Sequence, residues 1–154
     1  MKYTIEIIIN EPREKVIEKL DNAENLKHWQ EGLVDYEQIS GNPGAEGSKM
    51  KLIYKMGKRD MVLTETILQN KLPEKLLATY ETKGVYNIQE SYFKEIDDKT
   101  TKWISKNEFQ FSGFGMKLMG WIMPGAFKKQ TKKYLTHFKD FVEQDRSVMK
   151  KDSN

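Results

Sequence analysis

The chain has no cysteine, which excludes disulfides, thiolate nucleophiles and cysteine-held metals. It has only two histidines, His28 and His137, 109 positions apart. With no cysteine and no histidine cluster, no metal centre and no cofactor is expected. No G-x-S-x-G elbow occurs, so the sequence offers no nucleophile-elbow signature of a hydrolase. Long apolar runs are missing too: none approaches the ~18 residues that would suggest a membrane span. The opening MKYTIEIIIN is interrupted by Glu6 and lacks the apolar centre and small-residue cleavage site of a secretion signal. A cytoplasmic setting is the expectation. An excess of one charge is nearly absent, with 26 basic against 23 acidic side chains and a net +3. That is too little to argue for nucleic acid. The distribution is less even, since residues 112–151 carry nine Lys/Arg against three Asp/Glu.

What is present reads as one domain over 1–145 with a polar, frayed tail over 146–154. At 154 residues the chain is long enough for a real core. Residues 2–9 alternate Tyr3, Ile5, Ile7 and Ile9 against more polar neighbours, a half-buried strand. Asn10-Glu11-Pro12 starts a helix, with Asn10 or Glu11 as cap and Pro12 in the first turn, burying Val16, Ile17 and Leu20. Asp21 to Glu24 resembles a capping box before a second short helix carrying Leu26 and Trp29. From there to Phe111 only strands are read: 34–40, 49–56, 60–68, 75–82, 85–95 and 102–111. Glycine-bearing turns separate several of them, including a two-residue hairpin at Gly57-Lys58. GNPGAEGSK has the glycine density of a phosphate cradle, but a strand follows where a P-loop needs a helix, so a structural turn is expected.

The longest helical signal closes the chain, over 112–143. From Phe127 onward, Tyr134, Leu135, Phe138, Phe141 and Val142 fall on one stripe of a 3.6-residue period, with Thr131 in the gap. Pro124 divides this helix from Met116–Met123, which is apolar nearly all round and suits a core or cavity wall, a gate, or a membrane contact next to Lys128, Lys129, Lys132 and Lys133. Strand, two short helices, six strands and a long helix make an α+β fold: a seven-stranded antiparallel sheet curved around the last helix.

The chain resembles the START-like superfamily, the helix-grip proteins that include pollen-allergen and polyketide-cyclase relatives. The resemblance covers 2–143. It rests on the opening strand followed by INEPREKVIEKL, the HW pair at 28–29, the PG…G loop at 43–47, EFQFSG, and FKKQTKKYLTHFKDFVE. It implies a hydrophobic cavity between sheet and helix, and a function in binding or carrying lipids and related molecules, cyclising polyketides, or meeting a chaperone.

Polar residues on inward strand faces are the candidates for placed groups in such a cavity. Glu65 shares a face with Met61, Leu63 and Ile67, though its strand is apolar on both sides and a solvent-facing Glu65 is the alternative. Asn107 and Ser105 lie between Trp103 and Phe109. Gln89 shares a face with Val85 and Phe93. The candidate ligand residues are Trp29, Tyr54, Leu63, Glu65, Gln89, Trp103, Asn107, Met119, Met123, Phe127 and Tyr134. His28 is a candidate for the cavity entrance, and His137 reads as solvated. The leading expectation is a pocket protein for a hydrophobic small molecule or lipid, without nucleic acid and without an obligate protein partner. A cyclase- or dehydratase-like enzyme is the rival, with Glu65 as acid or base and Tyr54 or Tyr134 as hydroxyl donors. A chaperone-partner or membrane-surface module is the third.

Overall fold

A computed structural model describes residues 1–114 and 124–149. Strands β1 (Lys2–Ile9), β2 (Leu33–Ser40), β3 (Lys49–Met56), β4 (Arg59–Lys71), β5 (Lys75–Thr82), β6 (Val85–Asp97) and β7 (Thr100–Phe111) form one antiparallel sheet in the order β1-β7-β6-β5-β4-β3-β2. Between β1 and β2, which lie at opposite edges, come helix α1 (Arg13–Leu20), a 3-10 turn (Ala23–Asn25) and helix α2 (Leu26–Trp29). Helix α3 (Pro124–Gln144) lies against the curved sheet. Met116 to Met123, the segment read as core, gate or membrane contact, lies outside the described residues. No helix among the described residues is long and apolar enough to cross a membrane.

Alternation of side chains explains most of the sheet. Tyr3, Ile5, Ile7 and Ile9 pair with Asn107, Ser105, Trp103 and Thr101 across β1 and β7, and side chains at paired positions share a face. Ile8, Val62 and Leu68 point outward and stay exposed, which accounts for strands apolar on both sides. β4 runs past the expected end at Leu68 because a bulge between Ile67 and Gln69 breaks the alternation while pairing with β5 continues to Lys71. One extra residue shifts every later side chain relative to its partner strand. The Gly57-Lys58 hairpin is as read, with Met56 paired to Arg59 and Gly57 at φ 66°, a conformation that favours glycine.

The start of α1 differs from expectation. Pro12 takes the cap position and no side chain caps the helix. Asn10 instead donates its amide to Glu143 Oε1 at 3.0 Å, and Glu11 pairs with Lys15 at 3.0 Å. Asn22, inside the expected box, accepts the Glu24 backbone N–H at 3.0 Å and so caps the 3-10 turn.

The α3 stripe seals one end of the molecule. Leu135, Phe138, Phe141 and Val142 are buried with Ile5, Ile9, Val16, Trp29, Phe93 and Trp103. Each such side chain contributes roughly 1.5–3 kcal/mol by leaving water. Phe138 sits edge-on to both Trp29 and Trp103, at centroid distances of 5.1 and 5.2 Å. Thr131 fills the gap in the stripe by a hydrogen bond, its Oγ1 lying 2.6 Å from the Tyr3 hydroxyl. Lys128, Lys129, Lys132 and Lys133 form the exposed face. The first residues after α3 are docked rather than frayed: Val148 N–H donates to the His28 carbonyl at 2.9 Å, and His28 Nδ1 lies 2.8 Å from Ser147 Oγ.

Candidate functional site

The concave face has a packed end and a looser end. The aromatic cluster around Phe138 is the packed end. Around β3 and β4 a second cluster gathers Leu33, Met50, Leu52 and Tyr54, with Met61, Leu63 and Tyr80 against it. Between the two, a row of polar side chains crosses the sheet. Pairing puts Glu65 of β4 between Met50 of β3 and Tyr80 of β5. Tyr80 is in turn opposite Asn87 of β6, and Gln89 of β6 is opposite Asn107 of β7.

Glu65 therefore faces inward, which resolves the alternative left open by its strand. Burial pushes its carboxyl above the usual carboxylate range, and a hydrogen bond from Tyr80 opposes that shift only in part. The same burial, with the nearby carboxylate, holds the Tyr80 and Tyr54 hydroxyls above the ordinary phenol range. Both phenols are neutral at any physiological pH. Tyr54 donates to Gln30 Oε1 at 2.5 Å. Asn107 Nδ2 and Gln89 Nε2 both donate to Ser105 Oγ, at 2.9 and 3.2 Å.

Leu63, Glu65, Tyr80, Gln89, Phe109, Phe127 and Tyr134 are only half-buried. Glu65 and Tyr80 lie deep enough for burial to dominate their acidity, yet they keep surface that water can touch. These side chains are less enclosed than those packed around Phe138. Phe127 of α3 closes on Phe109 and Phe111 at centroid distances of 4.9 and 5.4 Å. Tyr134 stands at the rim beside Gln130 and the Lys133–Glu31 ion pair, which spans 2.7 Å. A separate shallow depression of about 240 Å³ lies over the β5–β6 turn and the end of β7.

The expected site residues thus divide. Leu63, Glu65, Gln89, Asn107, Phe127 and Tyr134 border the looser end, with Tyr54 just behind Glu65. Trp29 and Trp103 go instead to the packed aromatic end, because their rings complete the contacts around Phe138. Met119 and Met123 lie outside the described residues. His28 is stacked on Phe141 at 5.1 Å, at the tail-docking side of α2. His137 is half-buried rather than solvated, and its Nδ1 is out of water with no partner among the described residues. Tyr80 and Gln30 went unread in the sequence. Alternation places Tyr80 on a face, but only the pairing of β4 with β5 brings it to Glu65. Among the described residues no group of three His, Cys, Asp or Glu is placed to hold a metal.

No protein-family model matches the chain, and no curated protein matches it by sequence. Solved structures do match by shape. The ZhuI aromatase/cyclase from Streptomyces sp. R1128 aligns with a TM-score of 0.78 at 12% identity, over 96% of this chain and 99% of that one. A conserved protein from Geobacillus kaustophilus gives 0.76 at 17% identity, over 94% and 97%. Ara h 8.0201 gives 0.72 at 12% identity, over 92% and 97%. Identities this low carry the fold and nothing finer. By fold, the chain shares the helix-grip architecture of these structures, a seven-stranded antiparallel sheet curved around a long C-terminal helix.

Proposed function

We propose that the chain binds a hydrophobic small molecule or lipid between the concave sheet face and α3. One observation carries this reading: a carboxyl and two amides, Glu65, Gln89 and Asn107, stand in a row of polar side chains that crosses the concave face between two apolar clusters. An interior carboxyl is costly to a core that has no use for it, whereas a ligand site needs a few placed polar groups among apolar ones. The shared fold with an aromatase/cyclase supports the same class of ligand. A neutral, apolar fluorescent probe should bind with a blue-shifted, brighter emission. Native mass spectrometry of the freshly purified protein should show a co-purified apolar ligand. No probe binding and no retained ligand would sink the proposal.

A cyclase- or dehydratase-like activity is the second reading, favoured by the contact between Glu65 and the Tyr80 hydroxyl. A carboxyl held above its ordinary range is nearer to the acidity a general acid or base needs at neutral pH. Turnover of a bound polyketone, rather than binding alone, distinguishes the two.

A further inference from the structure

Antiparallel pairing collects turns that lie far apart in the sequence. The chain enters β2, β4 and β6 and leaves β3, β5 and β7 at one end of the sheet. α3 begins at that end too, since Phe127 meets Phe109 and Phe111 of β7. The Gly57-Lys58 and Lys83-Gly84 turns, the residues that follow Phe111 and the first turns of α3 are therefore neighbours.

The charge of this end is one-sided. Lys58, Lys83, Lys128, Lys129 and Lys132 are exposed. Among the described residues none of the five is in an ion pair. Glu31, which comes just before β2 at this end, is paired with Lys133. Asp60 and Glu81 stand at the adjoining strand ends, where Lys55 and Arg59 offset them. Between Glu108 and Asp140 the sequence has no acidic residue at all. The connections at the other end of the sheet are the reverse, with Glu11, Glu46, Glu74 and Asp98 against Lys99. A net charge of +3 thus conceals a polarised molecule.

An apolar group shares the cationic end. Phe114 follows β7 there and is 85% exposed, the most exposed large apolar side chain among the described residues. A ring left in water gains by entering an apolar phase. Lysines beside such a ring suit the boundary of an anionic lipid layer, where headgroups hold the cations and the acyl region takes the ring.

We propose that this end of the molecule docks on an anionic lipid surface, with the lysines against the headgroups and Phe114 below them. The proposal deepens the pocket reading and rests on it for its purpose. The docked end is the less enclosed end of the concave face, where Phe127 and Tyr134 are only half-buried, so an apolar ligand passes between lipid and protein without crossing water. Nucleic acid offers phosphates to the same lysines, but it has no use for an opening suited to apolar molecules.

Flotation tests the proposal, with vesicles of phosphatidylcholine alone and of phosphatidylcholine and phosphatidylserine in a three-to-one ratio. The protein should float with the anionic vesicles at low salt, stay behind with the neutral ones, and be released as salt rises. Lys128→Glu with Lys129→Glu, both on the exposed face of α3, should lower partitioning at least about tenfold. Lys94→Glu with Lys99→Glu makes the same change in net charge at the other end and should lower it less than about twofold. Phe114→Trp should keep the binding and add a blue-shifted emission with anionic vesicles only. No flotation with anionic vesicles, equal binding to neutral ones, equal losses from the two charge reversals, or tighter binding to duplex DNA at matched salt would overturn the proposal. The wild-type lipid and salt dependence stands on its own should a variant fail to fold. Dye binding is read separately: a protein that binds the dye but does not float keeps the pocket and loses the docking, and one that floats but never binds the dye does the opposite.

Discussion

At the scale of single residues, Glu65 is where cost and use meet. Burial holds its carboxyl above the range it has in the unfolded chain. As pH rises, the unfolded state therefore loses this proton first, and the native state is penalised from there upward. Each pH unit between the two titrations is worth about 1.4 kcal/mol. Glu65→Gln keeps the shape and stays neutral. It should raise the melting temperature relative to wild type at neutral and alkaline pH, and the gain should vanish below the ordinary glutamate range, about pH 4. Thermal melts of both proteins across pH measure this; a pH-independent difference would mean the carboxyl is not desolvated. The residue was readable as inward or outward from its neighbours, since Met61, Leu63 and Ile67 flank it on one face and Val62 and Leu68 on the other. Its contact with Tyr80 was not readable, because register between strands is a non-local fact.

At the scale of elements, α3 is the clearest. Its stripe was legible from period alone, and the described helix runs over Pro124–Gln144. The stripe's energetics concentrate on Phe138, which is fully buried and meets two tryptophans. Phe138→Ala should cost about 3–5 kcal/mol, read as a lower urea midpoint, and should increase the exposure of Trp29 and Trp103 to a fluorescence quencher. A loss under about 1 kcal/mol would mean that the aromatic end can collapse around the gap. The strands were equally legible where they alternate strictly, as in Lys49–Met56. They were misjudged where a bulge intervenes, as after Ile67, because one extra residue turns a clear alternation into noise. The first helix start was misread for a related reason: Asn10 and Glu11 have good capping chemistry, but Asn10 is bonded to Glu143 and Glu11 to Lys15.

At the scale of the molecule, the two ends of the concave face should differ in dynamics as they do in packing. Backbone amides of β6 and β7 next to the aromatic cluster should open only with most of the fold. Those of β2, an edge strand with irregular pairing at Leu33/Asp35 and Gln38/Ser40, should open locally. Hydrogen exchange followed by mass spectrometry should find β2 exchanging at least about tenfold faster than β7; equal protection would argue for one uniformly packed core. The placement of β1 has a further consequence in time. Tyr3 pairs with Asn107, more than a hundred positions later. Strand β1 must wait for β7 to leave the ribosome before it has a partner. Until then Ile5, Ile7, Ile8 and Ile9 form an unpaired apolar strand. Productive folding therefore waits for β7, and a nascent chain stalled before Thr100 would be a candidate for aggregation.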